Sequence, residues 1–281
     1  MHQGDQASWT MTALAVALNP TAPEAHRHAA GEVISSLGVD LADVPTEWNP
    51  VAMAGQAGAP ILQAAAVLRG DAQSWAGQSD AALIAQGRAS GQAAAGLIKF
   101  GFPMMPGLAE SLAQPNARML DVGTGVAALA VAWAELLPAV TVVGIDVLPR
   151  VLALAARTVA ASRVADRVVL REQDVAELTD ENQYRLAWLP APFVPEAALR
   201  EGMPRIFRAL APGGWVIVGH GKYAGNPTED AVSRFKTVAF GGTALDDPAA
   251  CQLLIDTGFD NVSTMPTPPG APAIAVGRKP G

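Results

Sequence analysis

The stretch Met119-Leu120-Asp121-Val122-Gly123-Thr124-Gly125-Val126-Ala127-Ala128-Leu129 decides how this chain reads. Its first residues make an apolar run of strand type, the glycines make a turn, and the alanines open a helix. Glycines at such a turn let the backbone approach a ligand closely, and the amides of a helix start favour electronegative groups. The run Gly123 to Ala128 also fits the loose dinucleotide pattern G-x-G-x-x-G/A, with Asp146 some 20 residues further on. Asp121 separates the readings. A carboxylate two residues before the first glycine would repel a pyrophosphate and suits a ligand that carries positive charge.

Outward from this stretch, strand and helix signals alternate. Strands are expected at 118–122, 140–145, 168–171, 185–189 and 215–218, with helices at 126–137, 149–161 and 195–210. Short apolar runs separated by amphipathic helices indicate a parallel sheet covered on both faces. The tail breaks the alternation: a helix at 248–257 leads to strands at 261–265 and 271–278 joined by a Pro-rich turn. Strands joined that way are antiparallel neighbours. Before residue 79, Ala-rich segments (13–18, 23–37 and 60–68) alternate with breakers, and Pro45, Pro50, Gly55 and Gly58 read as loop residues. A longer helix is expected over 80–99, capped by Ser79 or Asp80. The division predicted is a helical cap at 1–78 and an α/β domain at 79–281, with a doubly wound seven-stranded sheet ending in an antiparallel hairpin.

Over roughly residues 80 to 281 the chain resembles the class I S-adenosylmethionine-dependent methyltransferases. The first motif of that family is an acidic residue followed by Gly-x-Gly-x-Gly. It appears as Asp121, Gly123 and Gly125, with Ala127 where the third glycine usually stands. The second is an acidic residue ending the second strand, in Val142-Val143-Gly144-Ile145-Asp146. The third is Glu172-Gln173-Asp174-Val175, and the fourth is the turn Leu210-Ala211-Pro212-Gly213-Gly214 into Trp215-Val216-Ile217-Val218. Each alone is weak; their order and spacing carry the resemblance. It implies S-adenosylmethionine as cofactor, with Asp146 on both ribose hydroxyls. Asp174 would accept from the adenine amino group beside the Val175 amide, and Val147 and Leu189 would complete the cofactor site.

The segment Trp188-Leu189-Pro190-Ala191-Pro192-Phe193 follows the fourth strand, where relatives face the acceptor. It is apolar and lacks the Asn-Pro-Pro-Tyr type sequence of enzymes that methylate amino groups of bases. Trp188 and Phe193 are therefore expected to contact the acceptor, with Trp48 from the cap and Phe102 and Met104 from the bend at 100–106. His220, flanked by Gly219 and Gly221 after the fifth strand, is the candidate general base, needed only if the acceptor must lose a proton. Tyr223 and Glu47 are weaker candidates. No carboxylate cluster stands after strands four and five, so no metal is expected.

Composition is consistent with a small-molecule enzyme. The net charge of −7 and scattered arginines argue against a nucleic-acid partner, whose phosphates need a basic surface. No uninterrupted apolar run reaches 18 residues, so no membrane span is expected, and a single cysteine, Cys251, forms no internal disulfide. The cytoplasm is the expected compartment. The function expected is methylation of a small molecule, in specialised metabolism, with the cap closing over the acceptor or making a homodimer contact. The alternatives are a nicotinamide-dependent oxidoreductase and a non-catalytic S-adenosylmethionine-binding protein. The acceptor and the atom methylated are not legible.

Overall fold

The computed structural model describes residues 3–41, 49–70, 74–223, 225–267 and 271–281. The first five helices are Gln3–Ala17 (α1), Glu24–Ser35 (α2), Pro50–Arg69 (α3), Asp80–Gly91 (α4) and Ala93–Gly96 (α5), the last running on into a π turn at Leu97–Gly101. After Leu108–Leu112 (α6) the alternation begins: Ala117–Val122 (β1), Ala128–Leu136 (α7), Val140–Asp146 (β2), Pro149–Ala160 (α8), Val168–Glu172 (β3), Tyr184–Pro190 (β4), Glu196–Ala209 (α9) and Leu210–His220 (β5). Pro227–Ala239 (α10), Asp247–Thr257 (α11), Asp260–Met265 (β6) and Ala273–Arg278 (β7) complete the chain.

The seven strands lie in the order β3-β2-β1-β4-β5-β7-β6. The first five are parallel, and β7 runs antiparallel to both β5 and β6. The expected hairpin is therefore present, inserted so that β7 rather than β6 meets the parallel strands. Because side chains alternate across a strand, the sheet has two apolar faces. Met119, Val142, Leu186 and Ile217 pack under α6, α7 and α8, with Trp133 of α7 fully buried among them. Leu120, Val143, Ala187 and Val218 pack under α9 and α11. The Pro212-Gly213-Gly214 turn lies inside β5, where Gly213 takes φ +78° and the pairing with β4 shifts register.

The largest departure from the sequence reading is α3. A loop through Pro50, Gly55 and Gly58 and a short helix at 60–68 were expected; instead one 20-residue helix runs through all three positions and through Pro60. The Asn49 side chain caps it by accepting the Val51 amide at 3.0 Å, and Gly70 ends it in the left-handed conformation. Gly55 is a packing point: a Cβ there would stand 2.7 Å from the Ala85 carbonyl oxygen, so the missing side chain lets α3 and α4 cross closely. By length and composition α3 could cross a bilayer, contrary to the expectation of no such segment. Here it packs against α1 and α4, with 39% of its most apolar window buried.

The cut at residue 78 falls between helices that touch. α4, capped by Ser79 Oγ accepting the Ala82 amide at 3.2 Å, packs on α3 and also on α7 of the sheet domain. Arg150, at the start of α8, clasps this junction. It pairs with the Asp80 carboxylate and donates to the Gln78 carbonyl at 2.6 Å and the Ala76 carbonyl at 3.2 Å. The helix at 227–239 (α10) had no counterpart in the sequence reading.

Candidate active site

A cavity of about 1010 Å3 opens at the carboxyl ends of the parallel strands, roofed by α3 and α4. That is the end of a doubly wound sheet at which ligands sit. Its size lies at the upper limit for one drug-sized ligand, roughly 300–1000 Å3, and leaves room for two. Asp121 ends β1, Asp146 ends β2 and Asp174 follows β3, and all three line the cavity with Gly123, Gly125, Val147 and Val175.

The glycine turn is held by these carboxylates. Gly123 and Gly125 take φ +63° and +58°, and Ala127 follows at +60°, a left-handed position that costs an alanine about 1 kcal/mol. The Thr124 hydroxyl donates to Asp121 Oδ2 at 2.7 Å, while Asp146 accepts the Gly125 amide on Oδ2 and the Leu148 amide on Oδ1, each at 3.0 Å. Gly144, on the strand beneath, makes this possible: a Cβ there would stand 2.6 Å from the Thr124 hydroxyl oxygen. Asp174 caps the turn Val175–Glu177 by accepting the Ala176 amide at 2.9 Å.

Asp121 is 2% exposed, and burial raises its carboxyl from 3.8 to about 7; the Thr124 hydroxyl opposes the rise and the Asp146 charge adds to it. Burial also raises Asp146, against the opposing pull of backbone amides. Two buried carboxylates share one wall, and no cationic side chain lines the cavity among the described residues. Such a site favours a ligand that supplies positive charge.

The far part of the cavity is aromatic. Trp75, Phe193 and Phe240 meet there, with ring centroids 4.8 Å, 5.4 Å and 5.5 Å apart pair by pair. The Trp75 amide donates to the Phe240 carbonyl at 3.1 Å, which ties the segment before α4 to the end of α10. Trp188 also lines the cavity, and its ring packs over Gly219. Phe240 was not among the expected site residues; aromatic character was its only signal in the sequence, and 165 residues separate it from Trp75.

Several expected site residues lie elsewhere. His220 is on the opposite face of β5 from the cavity: Gly219 faces the cavity, so its neighbour faces α11. There it is 1% exposed, with Nδ1 3.0 Å from the Gly221 carbonyl oxygen and Nε2 3.5 Å from Asp247. Burial lowers its pKa, opposed by the Gly221 contact and the Asp247 charge. The same alternation buries Leu189 in the α9 face, between Trp188 and Pro190, which line the cavity. Phe102 stacks on Trp133 at 5.8 Å within the core, and Met104 is exposed away from the cavity. Phe100, Gly101 and Leu97 represent the bend in the cavity wall instead. Tyr223 lines a separate smaller cavity with Lys222 and Asp247. Trp48 and Glu47 lie outside the described residues. Among the described residues no three His, Cys, Asp or Glu side chains form a group able to hold a metal.

Comparison with known proteins agrees with this geometry. Residues 119–214, which span the first three motifs and the turn of the fourth, match a family model described as a methyltransferase domain. The release factor glutamine methyltransferase of Cereibacter sphaeroides is 33% identical over 165 residues, covering 56% of this chain and 52% of that protein. The enzyme of the same name from Geobacter sulfurreducens is 36% identical over 90 residues, so the chain spans about half or less of the curated relatives it matches. Among solved structures, the pyocyanin biosynthetic protein PhzM aligns with a TM-score of 0.62 at 17% identity, over 99% of this chain and 97% of that one. An O-methyltransferase family protein from Burkholderia thailandensis aligns with a TM-score of 0.61 at 14% identity, over 99% and 94%. These two likenesses speak to the fold, helical N-terminal part included. By its motifs, its sheet order and the family model matched at residues 119–214, the chain carries a methyltransferase domain of the class I, S-adenosylmethionine-dependent type.

Proposed function

We propose that this chain transfers a methyl group from S-adenosylmethionine to a small molecule held between the N-terminal helices and the sheet. The observation that carries the proposal is the continuity of one cavity from the carboxylates at Asp121, Asp146 and Asp174 to the aromatic cluster at Trp75, Phe193 and Phe240. In this reading Asp146 holds the ribose hydroxyls with its remaining lone pairs, Asp174 and the Val175 amide hold the adenine, and Asp121 faces the ammonium and sulfonium end. The donor is already activated, so placing the acceptor in line with the methyl–sulfur bond in a site closed to water supplies much of the acceleration.

Residues 1–78, acting together with α4, form the cap in this proposal, since α3 and α4 make one packed roof. Exposed Trp9 on α1 and Leu37 in the turn after α2 support a homodimer contact as a second role for the same segment. A second reading is methylation of a protein amide, favoured by the identity with the release factor glutamine methyltransferases. It is the weaker one, because the acceptor end is roofed by helices and walled with aromatic rings.

Labelled S-adenosylmethionine incubated with the chain and separate small-molecule and protein fractions tests the reading. Label is expected in the small-molecule fraction, and EDTA is expected to leave the rate unchanged. Label only in protein would reverse the choice of acceptor; a chelator-sensitive rate restored by magnesium would overturn the metal-free mechanism.

A further inference from the structure

We propose that the acceptor is a planar, uncharged aromatic molecule whose nucleophile needs no base from the enzyme. This deepens the small-molecule reading above and rests on it. Three observations carry it. The acceptor end is walled by a packed aromatic cluster: Trp75, Phe193 and Phe240 come from three separate segments, and the Trp75–Phe240 backbone bond fixes the first to the third. Rings so arranged take up another flat ring by offset or edge contact.

The α3 and α4 side of the same cavity is polar without charge. Gln56, Gln86, Ser90 and Gln92 line it, and Gln86 is held in place by accepting from Gln63 Nε2 at 2.9 Å and donating to Ser90 Oγ at 3.2 Å. Amides and hydroxyls in such a wall suit the hydrogen-bonding groups of a neutral molecule, whereas a charged acceptor would lose its hydration without gaining a counter-charge.

The third observation is chemical. Among the described residues, the cavity is lined by no His, Lys, Arg, Glu, Tyr or Cys. Its three carboxylates are each engaged: Asp121 by the Thr124 hydroxyl, Asp146 by two amides and Asp174 by one. The expected base, His220, is turned to the other face of the sheet. The acceptor must then bring an available lone pair, as an aromatic amine does. In the transfer the nitrogen pair forms the bond to the methyl carbon, and the methyl–sulfur pair passes to sulfur, leaving the neutral thioether of S-adenosylhomocysteine. The new ammonium then loses its proton to water.

The test uses the full chain loaded with S-adenosylhomocysteine and follows tryptophan fluorescence with 2-naphthylamine, 2-naphthoate and 2-naphthyltrimethylammonium as probes. The neutral amine is expected to bind at least about tenfold more tightly than either ion. Trp75→Ala and the milder Phe240→Leu should each weaken it about fivefold, with S-adenosylhomocysteine affinity held within about twofold as the sign of an intact fold. Gln86→Lys should shift the preference toward 2-naphthoate. At saturating S-adenosylmethionine, methylation of the amine should be flat with pH from mildly acidic to mildly alkaline conditions. Tighter binding of either ion, no binding of the amine, or binding without methylation would overturn the proposal. So would a rate that falls about tenfold per pH unit on the acid side at saturating cofactor, since that would reveal a base. If S-adenosylhomocysteine itself fails to bind, it is the underlying function that fails.

Discussion

Asp146→Ala is expected to lower the affinity for S-adenosylhomocysteine by about a hundredfold or more. The account gives this carboxylate two charge-assisted hydrogen bonds to the ribose, each worth about 1.5–3 kcal/mol. The structure adds a second loss. Asp146 also accepts the Gly125 and Leu148 amides, so its removal frees the glycine turn that shapes the cofactor end. Asp146→Asn keeps one acceptor oxygen and should lose less, on the order of tenfold. Calorimetric titration measures both, with circular dichroism to confirm the fold. Unchanged affinity in the alanine variant would remove the ribose from this position.

Asp121→Asn should move stability and binding in opposite directions. The folded-state pKa of Asp121 is raised from 3.8 to about 7, so the stability tied to its protonated form is complete below 3.8 and is lost as pH rises through about 7. Above that pH the free protein holds a buried charge costing up to about 4 kcal/mol, taken at ~1.4 kcal/mol per pH unit. The asparagine variant removes the charge and should melt several degrees higher than the parent in mildly alkaline buffer, with little difference in acid. Its affinity for S-adenosylmethionine should fall, because the cationic ligand loses its counter-charge. In the parent, binding selects the ionised carboxylate. Affinity should therefore weaken as pH drops below about 7, by up to tenfold per pH unit for one linked proton, and level off above it. Titrations in buffers of different ionisation enthalpy should detect that released proton, and the variant should release none. A variant that melts lower at alkaline pH, or a parent whose affinity is flat across neutral pH, would contradict the role given to this residue.

Much of the sheet domain was legible in the sequence because its signals are local. The apolar runs of β1, β2 and β4 are buried on both faces, and a parallel sheet needs such runs. The three aspartates fall at strand ends, which are also local features. Legibility failed where the outcome depended on strand parity or on distant contacts. His220 and Leu189 were each placed on the cavity side, and each lies one residue from a position that does face it. A strand boundary read from sequence does not resolve such a one-residue step. Gly55 read as a loop breaker because the helix it must let past, α4, lies thirty residues further along. Phe102 and Met104 looked like a ligand-shaping bend, yet the first stacks on Trp133 and the second turns to solvent. The Trp75–Phe193–Phe240 cluster depends wholly on tertiary structure.

The central claim is that this cavity binds S-adenosylmethionine and not a dinucleotide. The direct measurement is calorimetric titration of the purified chain with S-adenosylhomocysteine and, separately, with NAD. The account predicts saturable binding of S-adenosylhomocysteine that Asp146→Ala weakens by about a hundredfold or more, and no heat from NAD. Saturable NAD binding with none for S-adenosylhomocysteine would contradict it.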